Sequence, residues 1–230
     1  MFEEKSFMVS LLIVLILFIG AYAGYKRGII LQMLQTIGYA VGFIIAMENY
    51  RALSNLLFLL VPYSTPFAPE TNPYPFYDER LMFSLTNSYY DLLSFLILLF
   101  LGWVVVRFLA ALLSYTLEHF KAPEPISGIG GAVLGFYVNY VGIFYILFFL
   151  TILPFEPIQS RLVDSSLATS VLTSTPRLSE NTYQQFILDV HEETIAEEPQ
   201  IEVVPTDELE QQMEVPEQES TEEQSEENSE

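Results

Sequence analysis

The sequence predicts an all-α integral membrane protein. About four transmembrane helices in antiparallel hairpins are followed by a surface amphipathic helix and a disordered acidic C-terminal tail. Three observations carry this reading. Residues 6–25 and 28–47 are two runs of 20 positions without a charge, each long enough as a helix to cross roughly 30 Å of hydrocarbon. The charge is split: up to Leu153 nine acids face seven bases, and from Pro154 on 20 acids face only Arg161 and Arg177. Cysteine is absent, which removes disulfides, thiol nucleophiles and Cys-based metal sites. The expected division is 1–155 for the transmembrane domain, 156–190 for the membrane-surface segment and 191–230 for the tail.

Gly24-Tyr25-Lys26-Arg27-Gly28 joins the first two runs. Lys26 and Arg27 cannot stay in lipid, so the turn lies at a membrane face, and the positive-inside rule makes that face cytoplasmic. Ala21-Tyr22-Ala23 has the shape of a signal-peptidase site, but the segment before the first run is acidic on balance and a second apolar run follows at once. An uncleaved first helix, about Phe7 to Ala23, is therefore expected. Gly20, Gly24 and Gly28 recur every four residues. They serve either close backbone packing or the turn itself.

The second helix is expected from Ile29 to Met47, with Gly38 and Gly42 as another small-residue face. Gln32, Gln35 and Thr36 sit one turn inside the basic end, where interhelical bonding explains them more simply than a permeation path. Leu53 to Val61 is apolar but too short to span, which suggests an interfacial segment. Pro62 to Tyr77 interleaves proline with aromatic residues and reads as a loop on the outer membrane surface.

The third helix is expected from Tyr90 to Tyr115. Arg107 lies near its cytoplasmic end, where arginine snorkels to the headgroups. His119 and Lys121 follow. The fourth helix is expected from Gly130 to Leu153, with Gly131 and Gly135 at close-packing spacing and Asn139 as its one strongly polar side chain. Beyond Phe155, a stripe of Ile158, Leu162, Leu167, Val171 and Leu172 suggests one helix resting on the membrane up to Pro176. A weaker segment covers Tyr183 to Val190, and past His191 the composition is too polar to bury a core.

Four spans put both termini on one side. With Lys26 and Arg27 inside, both termini lie outside. No G-x-S-x-G, H-E-x-x-H or phosphate loop appears, and no carboxylate pair lies within a span, so no catalytic residue, cofactor or metal is expected. Nucleic acid is excluded as a partner because no basic patch exists. The expected partners are the lipid bilayer and, through the glycine faces, a second copy or another membrane protein.

In order along the chain, four motifs resemble the colicin V production protein (CvpA) family. They are the first helix running into Gly24–Gly28 and Ile29-Ile30-Leu31-Gln32, the glycine-bearing second helix ending in Ile44-Ile45-Ala46, and Gly130-Gly131-Ala132-Val133-Leu134-Gly135. The fourth is the run Pro157-Ile158-Gln159-Ser160, Ser165-Ser166-Leu167-Ala168 and Thr175-Pro176-Arg177-Leu178-Ser179, similar to the Gram-positive branch. Where the family commonly carries an acid at the start of the first helix, this chain has Ser10. The resemblance implies a four-helix protein of the bacterial cytoplasmic membrane that supports toxin (bacteriocin) production or export, or envelope homeostasis, without being an enzyme. A small channel or transporter lined by Gln32, Gln35, Asn139 and Arg107 is the competing expectation.

Overall fold

Four helices, each longer than a bilayer requires, make up the body of the protein. The computed structural model describes residues 2–61, 75–81, 84–117 and 126–197. Helix α1 is Phe2–Arg27, α2 is Ile29–Leu60, α3 is Leu85–Leu117 and α4 is Ile126–Ile152. All four are long and apolar enough to cross a membrane. A 3₁₀ turn, Glu79–Leu81, precedes α3. Shorter helices follow α4: α5 (Glu156–Asp164), α6 (Ser166–Thr173), α7 (Pro176–Tyr183), a π-helical turn (Gln184–Leu188) and α8 (Asp189–Glu197). Among the described residues there is no strand.

The spans bury little of themselves inside the chain. Leu11, Leu15, Phe18, Ile37, Ile44, Val105, Phe108, Leu112 and Val133 are all exposed. In water such a surface would be costly at about 25 cal/mol per Å², whereas in hydrocarbon it is the ordinary outer face of a bundle.

Order along the chain sets the packing only in part. The connection between α1 and α2 is the single residue Gly28, at φ 77°, so the two helices do run in opposite directions. Yet α1 packs mainly on α4, and α2 mainly on α3, with α4 lying between α1 and α2. The antiparallel α1–α2 hairpin is thus present, but its two helices touch each other less than either touches α4. The reason lies in the small residues: Gly24 meets Gly131 and Gly135 backbone to backbone, and Gly42 meets Gly102.

Several boundaries differ from expectation. Leu53–Leu60 is no separate interfacial segment but the end of α2, a helix of 32 residues, or about 48 Å. No glycine or proline interrupts it between Gly42 and Pro62, and Tyr50 and Ser54 are buried along it. Helix α3 begins at Leu85 rather than Tyr90. Helix α4 takes in the glycine-rich 126–131, which is helical because α1 packs across it. Most of the Pro/aromatic stretch, His119, Lys121 and the tail beyond Glu197 lie outside the described residues; the helix itself continues past His191, where the tail was expected to begin.

The segment after α4 packs on the protein rather than resting on lipid alone. It is not one helix to Pro176, because Ser165 breaks it: its hydroxyl accepts the backbone N–H of Ala168 and caps α6. Leu162, Val171 and Leu172 are buried, and α5 and α6 contact both α1 and α4. The Ser10 and Ser165 hydroxyls hydrogen-bond at 3.1 Å. The π turn then places Phe186 and Ile187 at zero exposure, with the Phe186 ring 5.3 Å from Phe95 and 5.1 Å from Tyr50. Residues 1–195 thus form one compact unit.

Polar ties hold this head. Tyr77 is buried with its hydroxyl 2.6 Å from that of Thr151, and its ring stacks on Tyr183. Burial pushes the Tyr77 phenol up, above the ordinary tyrosine range, although the Thr151 bond works the other way. It stays neutral at any physiological pH. Tyr77→Phe removes one buried bond and should lower stability by about 1 kcal/mol, read as a small fall in the denaturation midpoint in detergent. An unchanged midpoint would mean that the bond contributes nothing. Arg51 and Glu193 pair at 2.8 Å, but both are half exposed, so the pair contributes little.

Candidate functional site

The basic end is built around the Gly28 break. Ser127, at the start of α4, accepts the Ile29 backbone N–H at 3.3 Å, so α4 caps the beginning of α2. Only glycine suits position 28: φ is positive, and a side chain would strike the Ser127 hydroxyl. Above this turn α1 and α4 cross at Gly24, Gly131 and Gly135. A methyl group at Gly24 would land on the Gly131 carbonyl, and one at Gly131 on the Gly24 carbonyl.

Arg27 folds back along α2. Its Nη1 donates to Gln32 Oε1 at 3.2 Å and to Gln35 Oε1 at 3.0 Å. Both glutamines are buried, at 2% and 4% exposure, and Thr36 Oγ1 donates to the Gln32 carbonyl. Lys26 lies 4.9 Å over the Tyr22 ring, and Arg107 lies 5.4 Å over the Trp103 ring. Each aromatic ring sits one helical turn toward the membrane interior from its cation. Each cation therefore packs its stem against an aromatic face on its own helix.

Among the described residues no hydrogen bond joins Arg107 or Asn139 to Gln32 or Gln35. Gln32 and Gln35 bind Arg27. Asn139 Nδ2 donates to the carbonyl of Gly135 on its own helix, with its amide lodged against Gly20. Arg107 is exposed beside Trp103. The glycines are likewise used inside the chain. Gly20, Gly24, Gly131 and Gly135 join α1 to α4, Gly130 receives Ile29, Gly38 receives Val106, and Gly42 touches Gly102. Those faces are therefore not free for a partner.

Three residues escaped the sequence reading. Gly102, the single glycine of the third run, completes the α2–α3 crossing. Ser127 caps α2, and Gln159 caps the end of α4. Gly102 could have been found by matching it to Gly42 as a second small residue on a facing span. The two caps depend on tertiary contacts that no spacing announces.

The Ser84–His191 contact is not arranged for nucleophilic chemistry. Ser84 Oγ lies 3.1 Å from His191 Nδ1, but Ser84 is wholly buried and its hydroxyl already donates to the Leu81 carbonyl. Among the described residues no group of His, Asp and Glu could hold a metal ion.

Residues 9–176 match the family model described as colicin V production protein. The chain belongs to the colicin V production protein family. It is 27% identical over 173 residues to the uncharacterized transmembrane protein YshB of Bacillus subtilis (strain 168), covering 75% of this chain and 93% of that protein. No solved structure matches it. The family match runs from within α1 through the other three apolar helices, α5 and α6 and stops at Pro176, so what relates this chain to the colicin V production proteins is the bundle with its first two docked helices.

Proposed function

We propose that this membrane protein supports the production or export of a secreted peptide toxin, or envelope homeostasis more broadly, without catalysing a reaction. It acts by binding other envelope components. What supports this reading is that Gln32 and Gln35 are held by Arg27 and Asn139 by its own helix, so these amides serve the fold rather than line a conduit. Membership of the colicin V production family supports the link to toxin production. Its place is the bacterial cytoplasmic membrane with both termini outside, supported by Lys26 and Arg27 beside a one-residue connection.

Reconstituted in liposomes, the full chain should pass neither ions nor small solutes above the empty-vesicle rate. Flux that Arg107→Gln abolishes would replace this reading with the channel or transporter. Orientation has its own test, because the chain has no cysteine and any introduced one is unique. A membrane-impermeant maleimide on intact cells should label Phe155→Cys and reach Ile126→Cys only after permeabilisation; both side chains are well exposed. The reverse pattern would invert the protein in the membrane.

A further inference from the structure

Three of the spans together build an aromatic box toward the end opposite Gly28. Phe43 and Tyr50 come from α2, Phe95 from α3 and Tyr145 from α4. The Phe95 ring lies 5.5 Å from Phe43 and 5.0 Å from Tyr145. Phe186 fills the box, its ring 5.1 Å from Tyr50 and 5.3 Å from Phe95, and the next residue, Ile187, is also at zero exposure. The four walls lie inside the family match, whereas the occupant comes from beyond its end at Pro176.

The occupant is joined to the bundle as a separate piece. Helix α6 ends before the non-helical Thr175, and Pro176, which has no N–H to continue a ladder, starts a new helix. Phe186 and Ile187 sit in the π turn, a form that is rare within helices and recurs at functional sites. Among the described residues, what holds the segment around the box are single contacts. Thr182 Oγ1 donates to the Tyr145 hydroxyl at 3.4 Å, Tyr183 stacks on Tyr77, and His191 Nδ1 lies 3.1 Å from Ser84 Oγ. At the rim Asn87 Nδ2 donates to Thr194 Oγ1 at 3.1 Å, and Arg51 meets Glu193 in a half-exposed pair that contributes little. An empty box would uncover Tyr50 and Phe95, so the segment leaves when a side chain of the same kind takes its place.

We propose that this box is a docking site for an amphipathic helix of a partner protein, and that residues 176–195 are its resident, displaceable occupant. The partner's helix inserts an aromatic side chain between Tyr50 and Phe95 and, about two turns further along, sets a carboxylate against Arg51, as Phe186 and Glu193 do in this chain. The inference deepens the binding role proposed above by naming its surface, while the exchange itself rests on the fold alone. A chain that passes ions in liposomes yet exchanges this segment keeps the site and loses only that role.

The test is fluorescence anisotropy of a labelled synthetic peptide of residues 176–195, added at about 10 μM to the full chain in neutral detergent. A tethered segment competes at about millimolar effective concentration, so the parent should take up peptide at about one site in a hundred. Truncating a wholly buried phenylalanine weakens docking at least about a hundredfold, so Phe186→Ala should fill about half its sites, a rise of about fiftyfold. Should Phe186→Ala fail to stay folded, Glu193→Lys at its half-exposed position leaves the box intact and should raise uptake about threefold over the parent. A peptide that itself carries Phe186→Ala should bind neither chain. Parent-level uptake in both variants, or equal uptake of the altered peptide, overturns the site. A mixed dimer of parent and Phe186→Ala chains, trapped by crosslinking, would make the occupant a second copy and overturn the partner.

Discussion

Gly131→Leu is expected to separate α4 from α1 and to lower the stability of the detergent-solubilised protein by about 3 kcal/mol, at the upper end for overpacking. The size follows from what the side chain would meet. A β-carbon at 131 would meet both the Gly24 carbonyl oxygen and the Gly28 carbonyl carbon, which are main chain and cannot swing aside like a side chain. Even Gly131→Ala and Gly24→Ala should be strongly destabilising. Gly42→Ala has room, with its nearest neighbour, the Gly102 Cα, at an ordinary 3.7 Å, and should be nearly silent. At Gly142 nothing lies within 4 Å, so Gly142→Ala should gain about 0.5 kcal/mol from helix propensity alone. Thermal melting of the five variants in one detergent reads the whole order. If Gly131→Ala melts with the parent, α1 and α4 do not cross where the structure puts them.

That order also shows where the sequence was informative. Long apolar runs with almost no charge name lipid as the solvent, so the existence and order of the four spans were legible from the sequence, though the ends of α2 and α3 were not. Gly131 and Gly135 were legible as a close-packing face. Their partner was not, because spacing on one helix says that a backbone comes near and not which one. Adjacency along the chain pointed to α1 with α2. The small residues on α1 and α4 match better, and in a membrane close van der Waals packing decides association.

The head was legible only in part. Leu162, Val171 and Leu172 showed an apolar stripe, but a stripe buried in lipid and a stripe buried in protein read alike. Phe186 and Ile187 gave less, since their burial depends on a π-helical turn that brings them round to Phe95 and Tyr50. At the basic end Lys26, Arg27 and Arg107 stood out individually. Gln32 and Gln35 as ligands of Arg27 did not, because that bond needs the chain to reverse at Gly28.

Gln159 supplies the second large effect. The end of α4 is followed by Pro154, which has no N–H to offer, and the last carbonyls of a helix lack partners within it. The Gln159 amide nitrogen reaches back to three of them: Leu150 at 3.0 Å, Thr151 at 2.9 Å and Leu153 at 2.7 Å. The side chain is 3% exposed, so no water replaces it. Gln159→Leu keeps the bulk and strands the carbonyls of Leu150 and Thr151, at about 1–3 kcal/mol for each group left unsatisfied. Gln159→Glu should be worse at neutral pH, because it sets a carboxylate against carbonyl oxygens in a buried place. Its folded-state pKa must lie above the unfolded carboxyl value of about 4.3. The penalty is therefore complete above the folded pKa and fades as pH falls toward the unfolded one, where the carboxyl keeps a proton and donates it to a carbonyl. Denaturation midpoints from pH 8 down to pH 4 should show Gln159→Glu regaining ground on Gln159→Leu as acid is added. A Glu variant that matches the parent at pH 8, or that runs parallel to the Leu variant throughout, would mean that the α4 terminus does not depend on this amide.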